Sequence, residues 1–221
     1  LPASENGGLA TYINGATMTN KGWELELNSV NVQNENFRWT TSLSATSIKN
    51  EISSLPRELI VGNIFRWEEG RDRYEFYMPE WAGVDPATGA AQYADLNNNG
   101  VRDSEDRTFI GSAQPKFTYG LTNNLTFGNW NFNFFFQGVQ GNQLFNASRI
   151  DLEGMFDSKN QSTAVLDRWT TPGQVTNVPK ALRAGTDNSL TSSRFVENAS
   201  YLRLKTTTLS YSFSSAALQK L

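Results

Sequence analysis

The segment DLNNNGVRDSED, residues 95 to 106, sets oxygen-bearing side chains at Asp95, Asn97, Asn99, Asp103 and Asp106, with Gly100 among them. Counted from Asp95, these fall at positions 1, 3, 5, 9 and 12; the glycine is at 6 and the Val101 carbonyl at 7. The calcium loop of an EF-hand has this spacing, because Ca2+ takes several hard oxygen ligands and glycine allows the sharp turn between them. The segment therefore predicts a structural Ca2+ site. Its ligands would be Asp95, Asn97, Asn99, the Val101 carbonyl, Asp103 (directly or through water) and Asp106. Asp106 is shorter than the glutamate usual at that position, which works against bidentate binding, and Mg2+ would demand a tighter octahedral cage. An ordinary solvated Asn/Gly turn is the competing reading. The flanks, GAAQY and RTFIGSAQPKF, lack helical periodicity, and Gly111 and Pro115 oppose a following helix. The expectation is a calcium loop without an EF-hand, serving to stiffen a long connection.

Other chemistry is restricted. The 221 residues contain no Cys and no His, so thiolate and imidazole metal sites, disulfides, and Cys-His or Ser-His-Asp catalysis are excluded within the chain. Glu68, Glu69 and Asp72 form an acidic cluster beside Arg66, Arg71 and Arg73. Two of these carboxylates could serve a glycosidase, but a mixed-charge surface explains them equally, so no enzyme is expected. Trp67, Trp81, Trp169 and Tyr93 could stack on sugar rings or pack loops together. The sequons at Asn146 and Asn198 have no secretory context to act in. With 19 Lys+Arg against 22 Asp+Glu, a net charge of -3 and no long run of one sign, nothing favours nucleic acid.

The elements that must hold such a loop are strands. In KFTYGLTNNLTFGNWNFNFFFQGVQG, residues 116 to 141, Phe117, Tyr119, Leu121, Leu125 and Phe127 share one face. A turn at Gly128-Asn129 brings Trp130, Phe132, Phe134 and Phe136 onto the same side. Thr118, Thr122, Asn124, Thr126, Asn131, Asn133 and Gln137 occupy the other side. A second hairpin spans 21 to 50. Trp23, Leu25 and Leu27 pair across an Asn34–Asn36 turn with a row containing Phe37, Trp39, Thr41, Leu43 and Ala45. Val30 and Val32 are expected on the wrong face. A last strand, 200 to 213, changes face between Leu202 and Leu204 and the set Leu209, Tyr211 and Phe213; its first half would project above a membrane or pack under a loop.

No run of 18 apolar residues exists, which excludes a transmembrane helix but not a barrel strand, where only alternate residues meet lipid. The start, LPASENGG, does not read as a signal peptide. Strands of 10 to 14 residues with one aromatic-rich face suit a transmembrane barrel; a soluble β-sandwich would turn the same face inward. Long connections at 51 to 115 and 142 to 199, alternating with two short turns, favour the barrel. The division of residues 1–221 is thus hairpin 21–50, loop region 51–115, hairpin 116–141, loop region 142–199 and strand 200–213.

Several stretches together resemble a family. AGVDPATGAAQYADLNNNGVRDSEDRTFIGSAQPKFTYGLTNNLTF and FNFFFQGVQGNQLFN look like the late barrel region of SusC/RagA-type TonB-dependent outer-membrane transporters. MTNKGWELELN, LDRWTTPGQVTNVPKA and VENASYLRLKTTTLSYSF are similar too. The resemblance covers nearly the whole chain. It implies an all-β fold: part of an antiparallel barrel of about 22 strands with long extracellular loops and a plugged lumen. It implies TonB-energised uptake of oligosaccharides or peptides across a Gram-negative, Bacteroidetes-like outer membrane, with a SusD-like surface lipoprotein as partner and the TonB complex acting through a plug absent from this chain. The acidic loop matches a recurring segment of the family. Lipid would meet Trp23, Leu25, Leu27, Trp39, Leu43, Phe117, Tyr119, Leu121, Trp130, Phe132, Phe134 and Phe136. The chain closes on ALQKL, not on the aromatic strand that ends such barrels, and its five or six strands cannot close alone; a fragment is expected. The runner-up is a soluble or secreted, calcium-stabilised β-sandwich that binds glycans.

Overall fold

The computed structural model describes residues 15–182 and 187–213; LPASENGG and ALQKL lie outside them. In chain order the strands are β1 (Thr17–Gln33), β2 (Phe37–Ser54), β3 (Leu59–Val61), β4 (Phe65–Trp67), β5 (Glu75–Pro79), β6 (Trp81–Val84), β7 (Ala91–Tyr93), β8 (Arg107–Ser112), β9 (Phe117–Phe127), β10 (Trp130–Gln140), β11 (Gln143–Phe145), β12 (Val196–Asn198) and β13 (Tyr201–Tyr211). A short helix, α1 (Ser148–Glu153), lies between β11 and β12.

The long strands form one antiparallel sheet in the order β1-β2-β9-β10-β13. Two local devices set its hairpins. The Asn34 side chain accepts from the backbone N–H groups of Asn36 (3.1 Å) and Phe37 (2.8 Å), closing the first turn. Gly128 takes φ +53°, a backbone angle that a side chain would oppose, and closes the second. The turns sit side by side, with the Gly128 N–H donating to the Asn36 carbonyl at 2.9 Å. Both long connections leave from the opposite end. Short turns at one end and long loops at the other form the pattern of a membrane barrel wall.

Register organises one face into rows. At the turn end lie Phe37, Phe127, Trp130 and Tyr211. Val32, Trp39, Leu125, Phe132 and Leu209 follow, then Ser29, Thr41, Asn123, Phe134 and Thr207. Next come Leu27, Leu43, Leu121, Phe136 and Leu204, and above them Leu25, Ala45, Tyr119, Gly138 and Leu202. Trp23 and Phe117, with rings 5.8 Å apart, close the band. From the first row to the last is five steps of two residues, about 34 Å along a strand at about 3.4 Å per residue. At a barrel tilt of about 40° this gives a height of about 26 Å, close to the roughly 25 Å apolar band of an outer-membrane barrel. Aromatic rings mark both edges, as the interfacial girdles of such barrels do.

Two single-residue bulges keep the band continuous. Val30 pairs with Thr40 and Val32 with Trp39, so Asn31 is the extra residue. Val32 thereby returns to the apolar face, against the sequence expectation, while Val30 stays on the opposite one. Phe135 pairs with Thr206 and Phe136 with Leu204, so Lys205 is the extra residue in β13. Leu202 and Leu204 then share the face of Leu209 and Tyr211. The expected change of face in the last strand does not occur; a bulge absorbs it. The opposite face carries Glu24, Glu26, Arg38, Ser42, Thr122, Asn124, Asn133 and Gln137.

Five polar side chains of the apolar band form one hydrogen-bonded chain. Ser29 Oγ donates to Asn31 Oδ1 (2.8 Å), and Asn31 Nδ2 donates to Thr41 Oγ1 (2.6 Å). Thr41 Oγ1 and Trp39 Nε1 both donate to Asn123 Oδ1 at 2.8 Å. A lipid solvent offers no replacement partner, so such internal pairing is required there.

The apolar face carries no second sheet among the described residues: Trp23 is 52% exposed, Leu27 55% and Leu209 65%. Among the described residues that face is therefore not the core of a β-sandwich. Buried Phe76, Tyr77, Met78 and Phe195 lie instead in the long connections. There β3-β4-β5-β8 make a small sheet and β6-β7 and β11-β12 make two-stranded pairs, together a cap at the loop end of the wall. Phe65 stacks on Phe76 (5.2 Å) and Tyr77 packs on Phe109 (5.1 Å).

The wall's two faces differ in solvent, and that is testable within one strand of the full-length protein. Leu43→Arg, near mid-band, is expected to destabilise the folded barrel in lipid vesicles by about 2–4 kcal/mol. Ser42→Arg, on the opposite face, should leave the denaturant midpoint nearly unchanged. Equal losses would mean that the two faces see the same medium.

Candidate functional site

The 95–106 segment joins β7 to β8, so it is flanked by strands and not by helices. All the predicted ligand residues lie in one turn, and each side chain takes up a neighbouring backbone N–H. Asp95 accepts from Asn99 (3.2 Å) and Gly100 (2.8 Å). Asn97 Oδ1 accepts from the Asn99 N–H, and Asn99 Oδ1 from the Val101 N–H at 2.7 Å. Asp103 caps a 3-10 turn at Ser104–Asp106 by accepting from the Glu105 N–H at 2.7 Å. Asp106, fully buried, closes the ring: one oxygen accepts from the Leu96 N–H (2.9 Å) and the other from the Asp103 N–H (3.0 Å). Among the described residues no three acidic side chains converge as a metal-holding group. The oxygen donors suit Ca2+ in kind. In this conformation they serve as hydrogen-bond acceptors that shape the loop.

The loop is anchored to the second long connection. Arg102 Nη2 donates to Asp187 Oδ1 at 2.8 Å, and the Tyr93 hydroxyl donates to the Asp187 carbonyl at 2.6 Å. Burial raises the Tyr93 phenol above its ordinary value. Tyr93 packs edge-on against Trp81 (5.4 Å), and the Arg194 guanidinium lies 5.0 Å over the Trp81 ring. Arg194 is almost wholly buried, and that burial lowers its pKa from the ordinary value. Its Nη1 donates to the Asn188 carbonyl, and Glu153 Oε2 lies 3.8 Å from Nη2. Trp169 Nε1 donates to the Pro86 carbonyl, and the indole lies where any side chain at Gly89 would sit. Trp67 Nε1 donates to the Arg73 carbonyl. These aromatics are therefore packing elements of the cap.

The acidic cluster is likewise committed. Glu68 pairs with Arg66 at 3.2 Å, and Glu69 accepts from the Leu55 N–H at 2.7 Å. Asp72 accepts from Ser112 Oγ and the Tyr74 N–H. The same segment forms part of a cavity of about 1100 Å³ between cap and wall. Ser47–Asn50 and Lys116 supply its wall side, and Gly141–Gln143 line it where the chain passes from the wall to the cap. The buried oxygens Asn142 Oδ1 and Gln143 Oε1 there have no hydrogen-bond partner among the described residues. Sequence reasoning missed this cavity because its lining comes from five separate segments spread between Ser47 and Ser200 and carries no spacing signal.

No protein-family model matches the chain. Among curated proteins it is 30% identical over 224 residues to TonB-dependent receptor P26 of Formosa agariphila, covering 90% of this chain and 22% of that protein. TonB-dependent receptor P3 of the same organism is 29% identical, with 99% and 24% covered. TonB-dependent receptor SusC of Bacteroides thetaiotaomicron is 23% identical, with 96% and 22% covered. Among solved structures, the RagAB peptide importer in its open-open state superposes with a TM-score of 0.84 at 25% identity, covering 99% of this chain and 25% of that one. The RagAB peptide transporter gives 0.81 at 26% identity, covering 96% and 24%. The chain spans about a quarter of the length of the relatives it matches.

Asp106 is the residue on which the acidic loop closes. In the full-length protein, Asp106→Ala leaves the N–H groups of Leu96 and Asp103 without their acceptor, a loss of roughly 1 kcal/mol confined to this region. Hydrogen exchange of residues 95–106 should accelerate, while β9 and β10 exchange unchanged. Unaltered protection of the loop would remove Asp106 from this role.

Proposed function

We propose that this chain, a stretch of barrel wall and extracellular cap from a SusC/RagA-type TonB-dependent outer-membrane transporter, works within an importer of oligosaccharides or peptides. The observation that carries the reading is the apolar band about 26 Å high, edged by aromatic rings and crossed by strands whose short turns all lie at one end. In this reading the turn end faces the periplasm and the cap faces outward. The open edges of β1 and β13 are paired by further strands of the barrel, since lipid does not tolerate unpaired backbone. The polar face, with its Asn, Thr, Ser and Gln rows, lines the lumen or meets a plug. A SusD-like lipoprotein covers the extracellular mouth, and an inner-membrane TonB complex supplies the energy through the plug. Transport requires no covalent step, in keeping with acidic side chains that are already paired.

Support for cargo of this kind comes from the RagAB neighbour, described as a peptide importer, and from the similarity to SusC. The acidic loop is read as a structural Ca2+ site within the cap. Asp95, Asn97, Asn99, the Val101 carbonyl, Asp103 and Asp106 would hold the ion, each oxygen keeping a lone pair beyond the hydrogen bond it accepts.

Deleting the gene and growing the strain on oligosaccharides or on peptides as sole nutrient tests the transport reading. Loss of growth on one class, restored by the intact gene, is the expected result; full growth on both would contradict it. For the loop, Ca2+ added to the chelator-treated full-length protein should slow hydrogen exchange of residues 95–106, and Asp95→Ala should abolish that effect. Indifference of the wild-type loop to Ca2+ would leave it a hydrogen-bonded turn and nothing more.

A further inference from the structure

Immediately above the upper aromatic girdle, the outward face changes from apolar to cationic. Between Asn20 and Val30 the β1–β2 register is unbroken: Trp23 lies opposite Ser47 and Lys21 opposite Lys49. Both lysines therefore project from the same face as Trp23, Leu25 and Leu43. Trp23, Phe117 and Tyr119 form the aromatic edge directly beneath them, with successive rings 5.8 and 5.4 Å apart. Like charges directly opposite each other on adjacent strands are unfavourable unless an anion offsets them. Glu51 does so only in part. Its Oε2 lies 2.8 Å from Lys49 Nζ, and it reaches Lys21 only through the longer-range field. Among the described residues lining this part of the outward face, two cations stand against one carboxylate. The Lys49 side chain is 76% exposed. Thr19, Lys21, Lys49, Glu51 and Ser53 line a shallow pocket of about 80 Å³, where the Thr19 and Ser53 hydroxyls are hydrogen-bonded to each other beside the two ammonium groups.

We propose that Lys21 and Lys49 form a binding site for the phosphate of a phosphorylated glycolipid in the outer leaflet. Height and charge argue for a lipid headgroup over a soluble partner. The pair stands one row above the apolar band, at the level of the headgroups, and faces away from the lumen. Aromatic side chains at that level sit between acyl chain and headgroup, while basic pockets beside membrane-spanning segments bind anionic headgroups. The site rests on the barrel reading given above. It adds that the transporter holds a particular lipid at the β1–β2 edge of the cap, where the Asn50 side chain accepts from the Arg73 N–H at 3.2 Å.

The test uses the full-length protein, purified in detergent, stripped of lipid and examined by native mass spectrometry. Three probes are added separately: a phosphorylated lipid A, its dephosphorylated form, and inorganic phosphate. The wild type should retain the phosphorylated lipid well above the dephosphorylated one. The double variant Lys21→Gln, Lys49→Gln should reduce that retention roughly 10- to 30-fold, from the attraction of two lysines to an anionic headgroup. Glu51→Gln should increase it. A heat-modifiable band in the outer membrane is checked for every variant. Should the double variant fail to assemble, the comparison of the two lipids on the wild type and the Glu51→Gln gain still decide. Equal retention of both lipids would overturn the proposal, as would displacement of the lipid by inorganic phosphate at equal concentration, which would make this a free-anion site. Absence of the heat-modifiable band in the wild type would instead remove the barrel reading itself.

Discussion

A strand that crosses a bilayer cannot change face. Its side chains alternate, so one inserted residue would turn every later apolar side chain toward water and every polar one toward lipid. Within the apolar band the five-stranded sheet contains two such insertions, Asn31 and Lys205, and in each case the partner strand continues its register past the extra residue; a third, at Ser53, lies above the band. The apolar band keeps its height only because both bulges form. Even the polar row inside the band obeys the same constraint, with Asn31, Thr41, Asn123 and Trp39 bound to one another.

Wall and cap fold for different reasons. The wall has almost no core of its own. Its large side chains point outward, and the stabilisation they bring depends on lipid meeting them. The cap is built conventionally, around Phe76, Met78 and Phe195, with Arg194 buried beside Trp81 and Glu153. A buried guanidinium is costly unless it is paired; Glu153 stands beside Arg194 within the second long connection, and the link to the first is the Trp81 ring under Arg194 together with the Trp81 N–H, which donates to Ser193 Oγ. That packing, more than any property of the acidic loop alone, holds residues 95–106 in place through Arg102 and Asp187.

The β9–β10 hairpin was legible from sequence because a period of two and a Gly-Asn turn leave little choice of register. Trp130 does meet Phe127, and Phe136 does meet Leu121. The bulges were not legible. Nothing in SVNVQ or LRLKTTT marks an extra residue, since the bulge is defined by what the neighbouring strand does. The cap strands were hidden for another reason: most are three or four residues long, too short for periodicity to register, and are held by contacts between distant segments. In the acidic loop the spacing of oxygens could be read, but not that each would accept a backbone N–H. The family resemblance rested on several stretches at once, and the relatives now cover nearly the whole chain.

The central claim is that the outward face stays in register with lipid through the Lys205 bulge. Single spin labels placed along residues 202–211 of the full-length protein, reconstituted in lipid, would report it through accessibility to oxygen, which partitions into lipid, and to a water-soluble relaxation agent. Labels at 202, 204, 207, 209 and 211 should favour oxygen, and those at 203, 206, 208 and 210 the aqueous agent, with a single phase slip at 205. Unbroken alternation from 202 to 211, or aqueous exposure at every position, would contradict the account.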